Sequence, residues 1–111
     1  MRIQVKSRGG ANVDDELRSK VEKKLEKVAK QVSPLAELEI ELKEEHNPAI
    51  KDSQVAEATL HLKGTTLRAR ESSTDMGHSI NLLADDLARQ VKKHREKRRN
   101  RREQQKAADA A

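Results

Sequence analysis

Apolar and polar positions alternate along the chain at two different periods, and the switches between them divide it into six elements. Met1 to Lys6 alternates singly, with Ile3 and Val5 on one side and Arg2, Gln4 and Lys6 on the other. That is the pattern of a strand with one dry face. Ser7-Arg8-Gly9-Gly10 interrupts it with paired glycines, which tolerate positive φ. Val13, Leu17, Val21, Leu25, Val28 and Val32 then follow at spacings of four, four, four, three and four, a single helical stripe. Asn12 or Asp14 can cap this helix, Asp15 and Glu16 suit its positive end, and Ser33-Pro34 stops it.

Strict alternation returns over Glu37–Lys43, with Leu38, Ile40 and Leu42 inward and Glu37, Glu39 and Glu41 outward. Residues 44–53, with His46-Asn47-Pro48, read as a loop. A third strand places Ala56, Ala58, Leu60 and Leu62 inward, and Lys63-Gly64-Thr65 makes a hairpin turn. The fourth strand, Thr66 to about Ser72, turns Leu67 and Ala69 in and Arg68 and Arg70 out. Ser73, Thr74 or Asp75 caps a second helix whose stripe is Met76, Ile80, Leu83, Leu87 and Val91, with Ala84 and Ala88 beside it. Like charges weaken that helix beyond about Arg99, and residues 104–111 show no periodicity. The order β-α-β-β-β-α predicts an α+β domain. Two helices pack on one face of a four-stranded, mostly antiparallel sheet, as in a double-stranded-RNA-binding domain.

Composition limits what this frame can do. Of 111 residues, 39% are charged and 33% apolar, with no Phe, Tyr, Trp or Cys, so the core is aliphatic and thiol chemistry is excluded. The N-terminal segment lacks the apolar run of a signal peptide, and nothing resembles a membrane span, which predicts a cytoplasmic protein. The net charge of +5 is unevenly distributed. Residues 92–111 carry nine Lys or Arg against three acids, whereas residues 1–91 carry 15 basic and 16 acidic residues. A nearly neutral stretch, residues 1–91, therefore precedes a polycationic one, and we expect a folded domain over residues 1–97 and a disordered basic tail over residues 98–111.

No catalytic or metal site is expected. His46, His61, His78 and His94 are too widely spaced for a helical ligand pair, and Asp85-Asp86 point in different directions as solvated charges. Gly9-Gly10 lacks the partners of a phosphate loop. We therefore expect no enzyme activity, no cofactor and no small-molecule ligand. The basic run points to a polyanion. The segment after Val91 has no bulky apolar face for a membrane, so nucleic acid is the better match. Without aromatics to stack on bases, recognition is expected to rest on phosphates and shape. The sheet's open face carries Glu37, Glu39, Glu41 and Glu57, offset by Arg68 and Arg70 at one edge, so the helix side is the expected interface. Its candidates are Lys20, Lys23, Lys24 and Lys27 on the first helix and Arg89, Lys92, Lys93, Arg95, Arg98 and Arg99 on the second. Glu22 and Glu26 could instead pair with the first set at i, i+4.

Three stretches carry a family resemblance: Ala56-Glu57-Ala58-Thr59-Leu60-His61-Leu62-Lys63-Gly64, Thr74-Asp75-Met76, and Asp86-Leu87-Ala88-Arg89-Gln90-Val91-Lys92-Lys93-His94. With Leu17-Arg18, Val21 and Lys24-Leu25-Glu26-Lys27 in the same frame, residues 1–97 resemble the ribosome hibernation promoting factors, which include ribosome-associated inhibitor A. The resemblance implies binding to small-subunit rRNA between head and body, in competition with mRNA and tRNA, inhibiting translation under stress or in stationary phase. It also implies rRNA contacts from Arg89, Lys92, Lys93 and Arg95, with Lys24 and Lys27. The chain departs from the family at Gly77, where a tyrosine is usual, and at Ser7–Ala11, one residue longer than usual. From the residues alone, a generic binder of structured RNA and a protein-interaction module with a basic tail remain alternatives.

Overall fold

A computed structural model describes the backbone of residues 1–110 and the side chains of residues 1–99. Its elements are β1 (Arg2–Arg8), α1 (Asp15–Ala29), β2 (Glu37–Glu44), β3 (Gln54–Leu62), β4 (Thr65–Ser73) and α2 (Met76–Ala110). The sheet has the order β1-β2-β3-β4, with β1 parallel to β2 and the other pairs antiparallel. The parallel pair follows from α1, which carries the chain back across one face before β2 begins. The expected order and layering are thus the observed ones.

The dry face is made by the alternation described above. Leu38, Ile40, Leu42, Ala56, Ala58, Leu60 and Ala69 of the sheet meet Val21, Leu25 and Val28 of α1 and Ile80, Leu83, Ala84, Leu87 and Val91 of α2. Each fully buried aliphatic side chain contributes roughly 1.5–3 kcal/mol. Asp14 caps α1, its Oδ1 accepting the Leu17 N–H at 2.8 Å. The helix ends at Ala29, before the expected stop at Ser33-Pro34, and Val32 packs on the core from outside it. The Lys63-Gly64 turn needs positive φ only at Gly64, at 79°.

Asp75 starts α2 by accepting the His78 N–H at 2.9 Å. Below it, the Ser79 hydroxyl, buried, donates to the Gln54 carbonyl at 2.6 Å and lies 2.7 Å from the Ser73 hydroxyl, tying α2 to β3 and β4. The helix is continuous through Ala110, so no break marks the expected boundary between residues 97 and 98. The backbone of residues 104–110, where the sequence shows no periodicity, continues this helix, and Ala111 lies outside the described residues.

Candidate nucleic-acid interface

The two helices run side by side in the same direction. A Cβ on Gly77, at the start of α2, would lie 2.9 Å from Lys20 Nζ, and further along the pair Lys27 meets Asp85. The Lys20 ammonium therefore occupies the space into which a side chain at position 77 would project. Lys27 holds the Asp85 carboxyl below its usual range, mainly by hydrogen bonding and then by its charge. Burial opposes this slightly, and Lys24 adds to it. Next to this seam, Lys23, Lys24, Lys27 and Lys30 surround an open depression of about 570 Å³.

On the opposite flank of α2, Asp86 is only 18% exposed and accepts from Arg89 Nη2 at 3.1 Å and from Gln90 Nε2 at 3.3 Å. Gln90 Nε2 also donates to the Arg68 carbonyl at 2.8 Å, which fixes this flank to β4. Glu71 lies beneath. Burial first, then the Asp86 carboxyl through a hydrogen bond and its charge, raise the Glu71 pKa, while Arg89 acts the other way. Asp86 is thus not the solvated charge that its sequence neighbourhood suggested. Asp85 and Asp86 do point apart, but each anchors a cation of the candidate set.

These anchors orient the rest of α2, since positions seven apart share a side. Lys92 follows Asp85 and lies towards α1, and Arg99 follows Lys92. Lys93 follows Asp86 and lies towards β4. Arg95 follows Ala88, and Arg98 follows Val91 on the core-facing side, where the sheet has ended. The cations therefore surround α2 instead of forming one outward stripe. Arg98 turns under the helix and lines a cavity with Leu35, Ala36 and Leu62.

Lys20 is half-buried and the other nine candidates are exposed. The anticipated pairing of the α1 lysines with Glu22 and Glu26 is absent for Lys20, Lys23 and Lys24. Among the described residues the one such pair is Lys30 with Glu26, at 3.9 Å. Lys92, Lys93, Arg95 and Arg98 likewise have no ion pair among the described residues. The open sheet face is different. There Arg8 pairs with Glu41 at 3.3 Å, Arg70 with Glu57 at 3.4 Å, and His61 with Glu39 at 3.3 Å. Sequence reasoning named the cations but read Asp85 and Asp86, which hold Lys27 and Arg89, as solvated charges, and it did not single out Glu71 or Gln90. The Asp86 to Arg89 spacing of three was the available signal.

Residues 3–99 match the family described as Sigma 54 modulation protein / S30EA ribosomal protein. The chain is 35% identical over 99 residues to a ribosome hibernation promoting factor of Azotobacter vinelandii, covering 89% of this chain and 88% of that one. It is 37% identical over 86 residues to a ribosome hibernation promotion factor of Picosynechococcus, covering 77% of this chain but only 45% of that longer relative. Among solved structures, a ribosomal subunit interface protein from Coxiella burnetii superposes with a TM-score of 0.69 at 26% identity, over 86% of this chain and 98% of that one. The Thermus thermophilus Protein Y N-terminal domain shares the fold, with a TM-score of 0.71 at 24% identity over 85% and 99% of the two chains. The chain belongs to the Sigma 54 modulation protein / S30EA ribosomal protein family, that of the ribosome hibernation promoting factors.

Proposed function

We propose that the chain is a cytoplasmic ribosome hibernation factor that binds rRNA of the small ribosomal subunit where mRNA and tRNA would lie, and so inhibits translation. One observation carries the choice of face. On the helix side Lys23, Lys24, Lys92, Lys93 and Arg95 are exposed without ion pairs among the described residues, whereas the sheet face carries Glu37, Glu39, Glu41 and Glu57, two of which hold Arg8 and Arg70. A cation already paired must lose its partner before it meets phosphate, and an unpaired one only releases water and counterions. Lys27 and Arg89, each paired with an aspartate, are secondary to these unpaired cations. The reading includes no catalytic step.

Sedimentation through sucrose gradients tests it. Purified protein added to small subunits or vacant ribosomes should co-migrate with them and be released by mRNA together with tRNA. Protein remaining at the top of the gradient at low salt would refute ribosome binding. Retention unaffected by mRNA and tRNA would refute the shared site and favour a generic RNA binder.

A further inference from the structure

Leu35 is 91% exposed, although it does not sit on a loose loop. Pro34 precedes it, its N–H donates to Ser33 Oγ at 3.1 Å, and the Ala36 N–H donates to the Ser33 carbonyl at 3.0 Å. The Ala36 carbonyl in turn accepts the Arg2 N–H at 2.9 Å, which fastens the turn to β1. An isolated exposed leucine is ordinary. This one is fixed at the mouth of a half-open cavity of about 500 Å³, whose apolar wall is Leu35, Ala36 and Leu62. Lys63 from the β3–β4 turn and Arg98 from α2 supply cations, against Glu37, the one carboxylate among the described lining residues.

An apolar slot with cations at its mouth suits a flat ligand with apolar faces and an anionic tether. The volume lies within the range of small-ligand sites. An apolar peptide side chain would leave Lys63 and Arg98 facing it without counter-charge, and a membrane surface would need a much broader apolar face. A nucleobase satisfies both halves. Leu35, Leu62 and Arg98 of the lining are available to its faces, Lys63 or Arg98 to its phosphate, and Glu37 and His61 to its polar edge. Arg98 also belongs to the cationic run of α2, so RNA on that helix already passes the opening.

We propose that the cavity beneath the end of α2, between the Leu35 turn and the Lys63-Gly64 hairpin, takes up one unstacked nucleobase of bound RNA. This rests on the RNA-binding reading above and adds a base-binding slot to it. In a chain without aromatics, an aliphatic cavity with a guanidinium in its lining takes the place of a stacking platform.

The lack of any tryptophan in the chain makes the test direct. Leu35→Trp introduces a single fluorophore at an exposed position, and far-UV circular dichroism checks that the fold is kept. The probe is a fluorescein-labelled RNA hairpin with one bulged adenosine, alongside its fully paired counterpart. Anisotropy of the label reports whether the protein binds RNA at all, and tryptophan emission reports whether the slot is filled. The expected result is quenching with the same midpoint as the anisotropy change for the bulged hairpin, and weaker quenching for the paired one. Leu35→Asp should weaken binding of the bulged hairpin by roughly 5- to 100-fold, the range of one stacked base, with little change for the paired hairpin. A rise in anisotropy without quenching, together with Leu35→Asp binding like the unaltered protein, would overturn the slot and leave RNA binding intact. No rise in anisotropy for any form would overturn both. Saturation by adenosine monophosphate at lower concentration than by the hairpin would assign the slot to a free nucleotide and overturn the RNA-borne base.

Discussion

At the scale of single residues, two small side chains carry more than their size suggests. Gly9 holds φ at +62°, and a Cβ there would stand 2.7 Å from the Glu44 carbonyl oxygen, which is backbone and cannot swing aside. Gly9→Ala should therefore cost about 1–3 kcal/mol, read as a lower urea midpoint with unchanged slope. Gly77 is the contrasting case, since its Cβ would meet only side-chain ends, Lys20 Nζ at 2.9 Å and the Oδ2 of the capping Asp75 at 3.1 Å. Gly77→Ala should change stability by less than about 1 kcal/mol in the same experiment, because alanine's helix preference offsets the small shift asked of the Asp75 cap. The first glycine was legible in the sequence as part of a turn. Its close approach to Glu44 was not, because that strand end is far away along the chain. Nor did the sequence single out Ser79, whose partners on Gln54 and Ser73 lie in other elements.

At the scale of elements, the stripes were legible because burial on one side of a helix or sheet leaves a period in the chain, and all six elements follow it. The flanks of α2 were not, because polar residues beside a stripe show no period that distinguishes a solvated aspartate from one holding an arginine. The two acids that matter there should respond to pH in opposite senses. The folded state raises the Glu71 pKa above its ordinary 4.5, so the native protein binds that proton more tightly and this group lowers stability as pH rises through 4.5 to the raised value. Asp85 is lowered from 3.8, so its pairing with Lys27 supports the fold above 3.8 and that support is lost as pH falls through the lowered value. Urea midpoints measured across this range should lose their upper decline in Glu71→Gln and part of their acid decline in Asp85→Asn. Lys92→Glu combined with Lys93→Glu places negative charge on both flanks of α2 at exposed positions. Stability should hold within about 0.5 kcal/mol per site, while affinity for small subunits falls at least tenfold. Unchanged affinity would move the interface off this helix.

At the scale of the whole molecule, the division of charge was the first clue to function, and the fold turns it into a shape. The molecule extends 62 × 29 × 18 Å because α2 outruns the sheet. Composition named a polyanion partner, yet it could not show that Arg8 and Arg70 of the sheet face are held by glutamates while Lys23, Lys24, Lys92, Lys93 and Arg95 of the helix side have no ion pair among the described residues. That contrast depends on strand register and on which helix flank meets which neighbour. Removing residues 98–111 deletes Arg98, Arg99, Arg101, Arg102 and Lys106. Affinity for single-stranded RNA should weaken, and the slope of log K against log salt should flatten by about 0.7 for each phosphate that is no longer neutralised. An unchanged slope would mean that the segment does not touch phosphate.

The core contributed by α2 also governs when the protein can begin to exist in its folded form. Ile80, Leu83, Ala84, Leu87 and Val91 cover the sheet beside α1. A nascent chain that has reached only Ser73 has all four strands but leaves much of their dry face bare. Closure waits for Val91, which is followed at once by Lys92 and Lys93. The residues that complete the core and the cations Arg89, Lys92 and Lys93 thus share one short stretch of chain, so the body cannot close without bringing those cations into place.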